Sequence, residues 1–262
     1  MRFCFLCFLA FELAASNAAF AQRQEADHQA PIDPAKAESD ARAIVAEMLA
    51  QTPTGDSSNT GKILIRDRDK NEREIPARFE IIATPTNWLS VYEALDSTGK
   101  TGGTKLTVIH SAVAPNRYQI TEPATAGGTN GTVRELTPEQ AMIPFASSDF
   151  WLADLGLEFL HWPKHRLIKR DTRHEKACYV MESINPNPVP GGYARVMSWV
   201  IINGPRGIVH ADAYDSSNKL VKVFDPVSVQ KDDAGQYQLQ EMEMRSPQTK
   251  SHTSITFNLP HD

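Results

Sequence analysis

Behind Asp33-Pro34, an N-cap followed by a residue suited to the first helical position, apolar side chains recur at helical spacing. Ala41, Ile44, Val45, Met48 and Leu49 form one apolar face, and the helix is expected to end before Thr52-Pro53-Thr54-Gly55. From there to about residue 122 the period falls to two. In 74–83, Ile75, Ala77, Phe79 and Ile81 share one face while Glu74, Arg78 and Glu80 share the other, the pattern of a half-buried strand. Similar strands are predicted at 62–67, 87–95, 104–111 and 117–121. The turns between them, including 67–71 and 96–103, are too short for crossover helices, so the pairing is antiparallel. Residues 123–131 are expected to form a mobile loop before Thr137-Pro138-Glu139-Gln140, which opens a helical turn.

Ser147 or Ser148 can cap a second helix carrying Phe150, Trp151, Leu155, Phe159 and Leu160, stopped by Pro163. Strand periodicity then returns at 177–184, 194–202, 207–214, 219–225, 236–244 and 252–259, with hairpin-like connections such as Asp232-Asp233-Ala234-Gly235. The predicted fold is mainly β (α+β): about eleven antiparallel strands in a curled sheet or incomplete β barrel. Two to three helices lay their apolar faces against the concave side.

The start of the chain changes this picture by adding export. Arg2, the apolar run Phe3 to Phe11 and the triplet Ala19-Phe20-Ala21 read as a signal peptide over 1–21. A run of about 9 apolar residues, closed by Glu12, is too short to span a hydrocarbon core that needs roughly 20. A solvated arm at 22–32 and a single domain at 33–262 are expected to follow. Loss of Arg2 and Glu12 together leaves the net charge at −5, which offers nothing to nucleic acid. Cys4 and Cys7 leave with the leader, so Cys178 stays without an intramolecular disulfide partner despite an oxidising destination.

The mature chain carries no G-x-S-x-G, H-E-x-x-H or C-x-x-C signature. Gly99-Lys100-Thr101 resembles the end of a phosphate loop, but Ala94 occupies the first glycine position. Pro163 breaks the helix that would align His161 with His165, and His174 and Cys178 sit where a strand begins, so no metal site is expected. Asp149, Asp154 and Glu158 invite a paired-carboxylate reading, yet Asp149 lies in a first helical turn, where the macrodipole favours acids anyway. Lys164, His165, Arg166, Lys169, Arg170 and Arg173 form a basic cluster beside the aromatic helix. It is either a solvated face or a contact for anionic head groups or an acidic partner. The chain is expected to be no enzyme and to need no cofactor.

From residue 147 onward the order of features resembles the LolA-like outer-membrane lipoprotein-sorting family, in its broad, largely uncharacterised branch. The matching pieces are Ser148-Asp149-Phe150 with Asp154-Leu155, Cys178 to Glu182, Tyr193-Ala194-Arg195 and Trp199-Val200-Ile201. Ala213-Tyr214-Asp215, Lys219 to Phe224, the strand of Met242 and Met244, and Thr253 to Phe257 follow. Asn218 departs from the family, which tends to have glycine in that turn, but asparagine tolerates the same left-handed conformation. The resemblance implies a periplasmic carrier, a monomer, whose apolar cavity holds acyl chains of lipids or lipoproteins, with membrane-associated donor and acceptor proteins as partners. Burial of one methylene contributes about 0.8 kcal/mol, so a chain of about 16 carbons gains on the order of 12 kcal/mol without a hydrogen bond. Candidate lining residues are Phe79, Ile81, Trp88, Tyr92, Trp151, Leu155, Trp199 and Met242. The alternative is an envelope sensor or protein-interaction module on the same fold, without lipid cargo.

Overall fold

Asp33 starts the first helix, α1 (Pro34–Leu49), by accepting the Ala35 N–H on its side chain at 2.8 Å. Ala37, Ala41, Ile44, Val45 and Met48 turn inward from it, and the helix packs across the strand Lys164–Arg173. The computed structural model describes residues 33–96, 99, 103–111, 114–123, 131–231 and 237–259. The expected leader and arm, the loop at 123–131 apart from its two ends, and the turn at Asp232–Gly235 lie outside the described residues.

The strands are β1 (Ser57–Arg66), β2 (Glu72–Ala83), β3 (Asn87–Ala94), β4 (Lys105–Ser111), β5 (Arg117–Glu122) and β6 (Thr132–Leu136) in the first half. The second half supplies β7 (Lys164–Arg173), β8 (Lys176–Ile184), β9 (Arg195–Ile201), β10 (Ile208–Tyr214), β11 (Leu220–Lys231), β12 (Tyr237–Ser246) and β13 (Ser251–Phe257). They form one antiparallel sheet of thirteen strands in the order β6-β5-β4-β3-β2-β1-β13-β12-β11-β10-β9-β8-β7, curled but not closed. All neighbours but one are consecutive in the chain. The exception is the seam of β1 with β13, where Gly61 faces Phe257. A β-carbon on Gly61 would lie 2.0 Å from the Thr256 carbonyl oxygen and 2.9 Å from the Phe79 ring, so glycine is what lets the two halves meet this closely.

The count is thirteen rather than about eleven because β6 and β7 are the two edges. Only Leu136 of β6 is buried, and of β7 only His165 and Leu167 before a bulge at Ile168. Edge strands covered on one side carry little apolar alternation, which hides them from a periodicity argument. β11 also outlasts its expected end at 225, running through Pro226. Its pairing with β10 stops at Phe224, so the missing proline N–H interrupts no ladder on that side. Asn218 takes the left-handed conformation its turn requires, at φ 61°.

The expected second helix is broken. A strap leads through left-handed Ala146 and Ser147 into the short helix α2 (Leu152–Leu155), then through Gly156 and left-handed Leu157, φ 50°, into one 3₁₀ turn at Glu158–His161. Thr137 and Gln140 exchange reciprocal bonds, and the Ala141 N–H reaches the Thr137 carbonyl at 3.0 Å, closing the expected turn. The strap packs Phe145, Phe150, Leu152 and Leu155 against Ile63, Phe79, Tyr92 and Phe257. A second core lies between α1, the 3₁₀ turn and strands β7 to β11. Met142 and Phe224 touch both cores.

Candidate ligand-binding site

Where the two cores meet, the packing leaves a hollow. Strands β9 to β12 supply Val196, Ile208, Ala211, Ala213, Phe224, Leu239 and Met242; the strap supplies Phe150, Leu155, Leu157 and Phe159; α1 supplies Met48. Ala211 and Ala213 place two methyl groups where the facing strands carry larger chains, and the ladder between β10 and β11 ends beside them. The cavity measures about 70 Å³ by the centre of a water-sized sphere, several times the ~10–15 Å³ that admits one water.

The wall is apolar except for one group of polar side chains. Asp154 accepts the Trp151 N–H at 2.7 Å and the Tyr193 hydroxyl at 2.9 Å. The Lys222 ammonium donates to the Asp149 carbonyl at 2.6 Å and lies 5.0 Å from the centre of the Trp151 ring. The Asp149 carboxylate accepts Ser251 and Thr253 hydroxyls at 2.6 and 2.9 Å and stands 3.9 Å from Lys222. Burial pushes the Asp154 carboxyl up to about 6 against the opposing pull of Lys222. Burial also lowers Lys222, which both aspartates partly restore. One ammonium serving two carboxylates is a structural clasp, tying the strap to β11.

A second hollow adjoins the first, sharing Met48 and Leu157 as a common wall. Ile81, Trp88 and His110 come from β2, β3 and β4; Gln51 and Pro53 follow α1; Gly156, Leu160 and His161 belong to the strap. It measures about 50 Å³ by the same criterion. Beneath it runs a buried polar chain. His110 bonds to Ser90 and Asn116, each at 3.0 Å. Asn116 donates to the Gly156 carbonyl at 2.7 Å, and Tyr118 donates to Glu158 at 2.7 Å. A β-carbon on Gly156 would lie 2.3 Å from the Tyr118 hydroxyl, so this crossing also demands glycine.

Burial dominates the titration of this chain. It lowers His110 to about 4, keeping the imidazole neutral, and raises Glu158, 3% exposed, to about 7, with Tyr118 and Asn116 pulling the other way. A carboxyl whose folded value exceeds its unfolded value stabilises the fold fully at pH below about 4 and loses that contribution as pH rises through about 7. Glu158→Gln is therefore expected to gain stability over the parent at pH 8 and to lose that advantage near pH 5. Thermal melts of both proteins across this range check it, and parallel curves would refute the assignment.

The sequence candidates divide. Tyr92, Leu155 and Met242 stand in the wall of the first hollow and Ile81 and Trp88 in that of the second. Phe79 lies in the closed core, 4.6 Å from the Phe257 ring. Trp151 stands behind the wall, stacked on Tyr193 at 4.6 Å. Trp199 points to the sheet's other face, 4.8 Å from His210, because strand alternation opposes it to Val196 and Val200. Sequence reasoning missed Tyr193, Ala211, Ala213 and Lys222. Only Lys222 left a signal, a cation on the same face of a strand as Phe224. His161 lines the second hollow while His165 bonds Ser183 at 2.9 Å, and His174 reaches toward Asp225 at 3.5 Å, away from Cys178. The basic cluster is largely paired: Arg166 with Glu182, Lys169 with Asp171 and Arg173 with Asp225.

This geometry can be set beside known proteins. A domain from Vibrio parahaemolyticus, provisionally described as an outer membrane lipoprotein-sorting protein domain, superposes with a TM-score of 0.69 at 15% identity, over 84% of this chain and 91% of that one. A DUF1329 family protein from Desulfovibrio piger gives 0.66 at 21% identity over 88% and 94%. A LolA superfamily protein from Nitrosomonas europaea gives 0.56 at 13% identity over 84% and 94%. The fold is LolA-like. A family model described as "-like: Uncharacterized protein" matches residues 129–259, half of the chain. The chain belongs to that family. A search of curated proteins found no match. The family match covers the strap and strands β7 to β13, so it takes in most of the first hollow's wall, whereas β1 to β5 of the LolA-like sheet lie outside it. Among the described residues no helix is long and apolar enough to cross a membrane.

Proposed function

We propose that this LolA-like protein is a periplasmic carrier that holds acyl chains of lipids or lipoproteins in the hollow under its strap. The observation that carries this reading is the hollow itself: an open, apolar space between two cores of a sheet that its own side chains do not fill. Apolar burial needs no directional partner, so such a space accepts hydrocarbon by area alone. A membrane offers the chain nearly the same gain, which makes loading and unloading close to neutral and lets a small strap movement decide between them. In this reading Tyr92, Leu155 and Met242 touch the chain, with Ile81 and Trp88 in the adjoining hollow. Residues 1–21 direct export, and membrane-associated proteins donate and accept the cargo.

Native mass spectrometry of the protein purified from cells, with extraction of bound lipid, tests this directly. A stoichiometric acyl-bearing adduct is expected. A bare protein mass, with no adduct regained on incubation with lipid vesicles, would remove the carrier role. Past Phe224, β11 has β12 as its one strand neighbour among the described residues, an edge that an extended peptide can extend. Capture of a protein there by a lipid-free form would favour the interaction module instead.

A further inference from the structure

We infer that the second hollow is a head-group subsite, which takes the uncharged, hydrogen-bonding head of an amphiphile whose tail lies in the first. This rests on the carrier reading and adds to it the class of ligand.

The two hollows differ in chemistry while sharing a wall. The first is apolar apart from the clasp around Lys222, whose carboxylates are occupied within the protein. The second mixes apolar chains with the Trp88 indole, the Gln51 amide and the imidazoles of His110 and His161. His110 is spoken for, with both nitrogens bonded to Asn116 and Ser90. It stacks on Trp88 with ring centres 4.9 Å apart, which fixes the indole at the edge of the hollow. By contrast, the Trp88 indole N–H and both ring nitrogens of His161 have no hydrogen-bond partner among the described residues, and both side chains line the space. Indole donates only, whereas a neutral imidazole donates once and accepts once. Together they offer two donors and one acceptor to whatever enters.

The wall also says what cannot enter comfortably. Among the described residues it includes no Lys, Arg, Asp or Glu, and burial lowers both His110 and His161, so neither imidazole supplies a positive charge at neutral pH. A carboxylate or phosphate placed there loses water without gaining a counter-charge, the costliest form of burial. A glycerol or other hydroxylated head loses water and regains hydrogen bonds. Met48 and Leu157 line both hollows, so a head in one and a tail in the other would meet at these two side chains.

Displacement of N-phenyl-naphthylamine from the mature protein by monopalmitoylglycerol, methyl palmitate and palmitate tests the subsite. Monopalmitoylglycerol is expected to displace the dye at a concentration about tenfold below that for methyl palmitate, the scale of one to two hydrogen bonds, with palmitate weakest. His161→Phe and Trp88→Phe are each expected to weaken monopalmitoylglycerol several-fold more than methyl palmitate, whose ester has fewer groups to pair there, and so to narrow that preference. His161→Gln, which keeps a donor and an acceptor, is expected to restore part of it. Equal potency of all three ligands on the parent protein, or palmitate as the strongest, would overturn the subsite and leave the carrier reading intact. Should none of them displace the dye, or the dye itself fail to bind, the carrier reading would fall with it.

Discussion

On the carrier reading, Ala211→Phe is expected to abolish lipid binding while leaving the protein folded. Ala211 is 8% exposed on β10, and its methyl group faces the first hollow. A phenyl ring grown from that position occupies space that about four methylenes of an acyl chain would otherwise fill. At about 0.8 kcal/mol each, their loss is about 3 kcal/mol, or roughly a hundredfold in affinity. Filling an existing void adds contacts rather than removing them, so the urea midpoint should hold or rise. Ala213→Leu, from the same strand and the same face, serves as a milder version. Dye binding and native mass spectrometry read the first effect and urea unfolding the second. Undiminished lipid in a folded Ala211→Phe protein would show that hydrocarbon does not occupy this space.

Phe79→Ala is expected to have the opposite signature. Phe79 is fully buried at the seam between the two halves of the sheet, with its ring 4.6 Å from Phe257 and 5.9 Å from Tyr92. It also covers Gly61, the residue that lets β1 approach β13. Truncating a buried phenylalanine typically costs about 3–5 kcal/mol, because the cavity collapses only in part. Among the described strands the seam is the single join between strands distant in sequence. A large fall in the urea midpoint is expected, with ligand affinity of the remaining folded protein close to that of the parent. A stable Phe79→Ala protein that has lost its ligand would place Phe79 in the site instead of the core.

In these two expectations the hollow and the stability of the fold rest on different residues of one apolar set, and that division marks what a single sequence can tell. The alternation in 74–83, the helical spacing behind Asp33 and the short polar turns are local patterns, each set by backbone geometry over a few residues. They were enough to predict a mainly antiparallel, curled and unclosed sheet with few helices. They also single out Tyr92 and Met242 on strands, and Leu155 on the helix, as large apolar candidates. Local patterns do not report how opposite walls meet. The edge strands β6 and β7 carried too little alternation to be seen, since one side of each has no neighbour. The break at Gly156 and Leu157, which splits the expected helix, follows from Tyr118, Asn116 and Glu158 meeting from strand and strap. Whether Phe79 packs solid or lines a space depends on Gly61 on the neighbouring strand and on Phe257 across the seam. The hollow exists because Ala211 and Ala213 face larger chains across a gap that those chains do not cross, and a pair of alanines in a strand carries no mark of that. Chain-local periodicity therefore determined the architecture, whereas empty volume, a property of residues far apart in sequence and close in space, was decided by the tertiary structure alone.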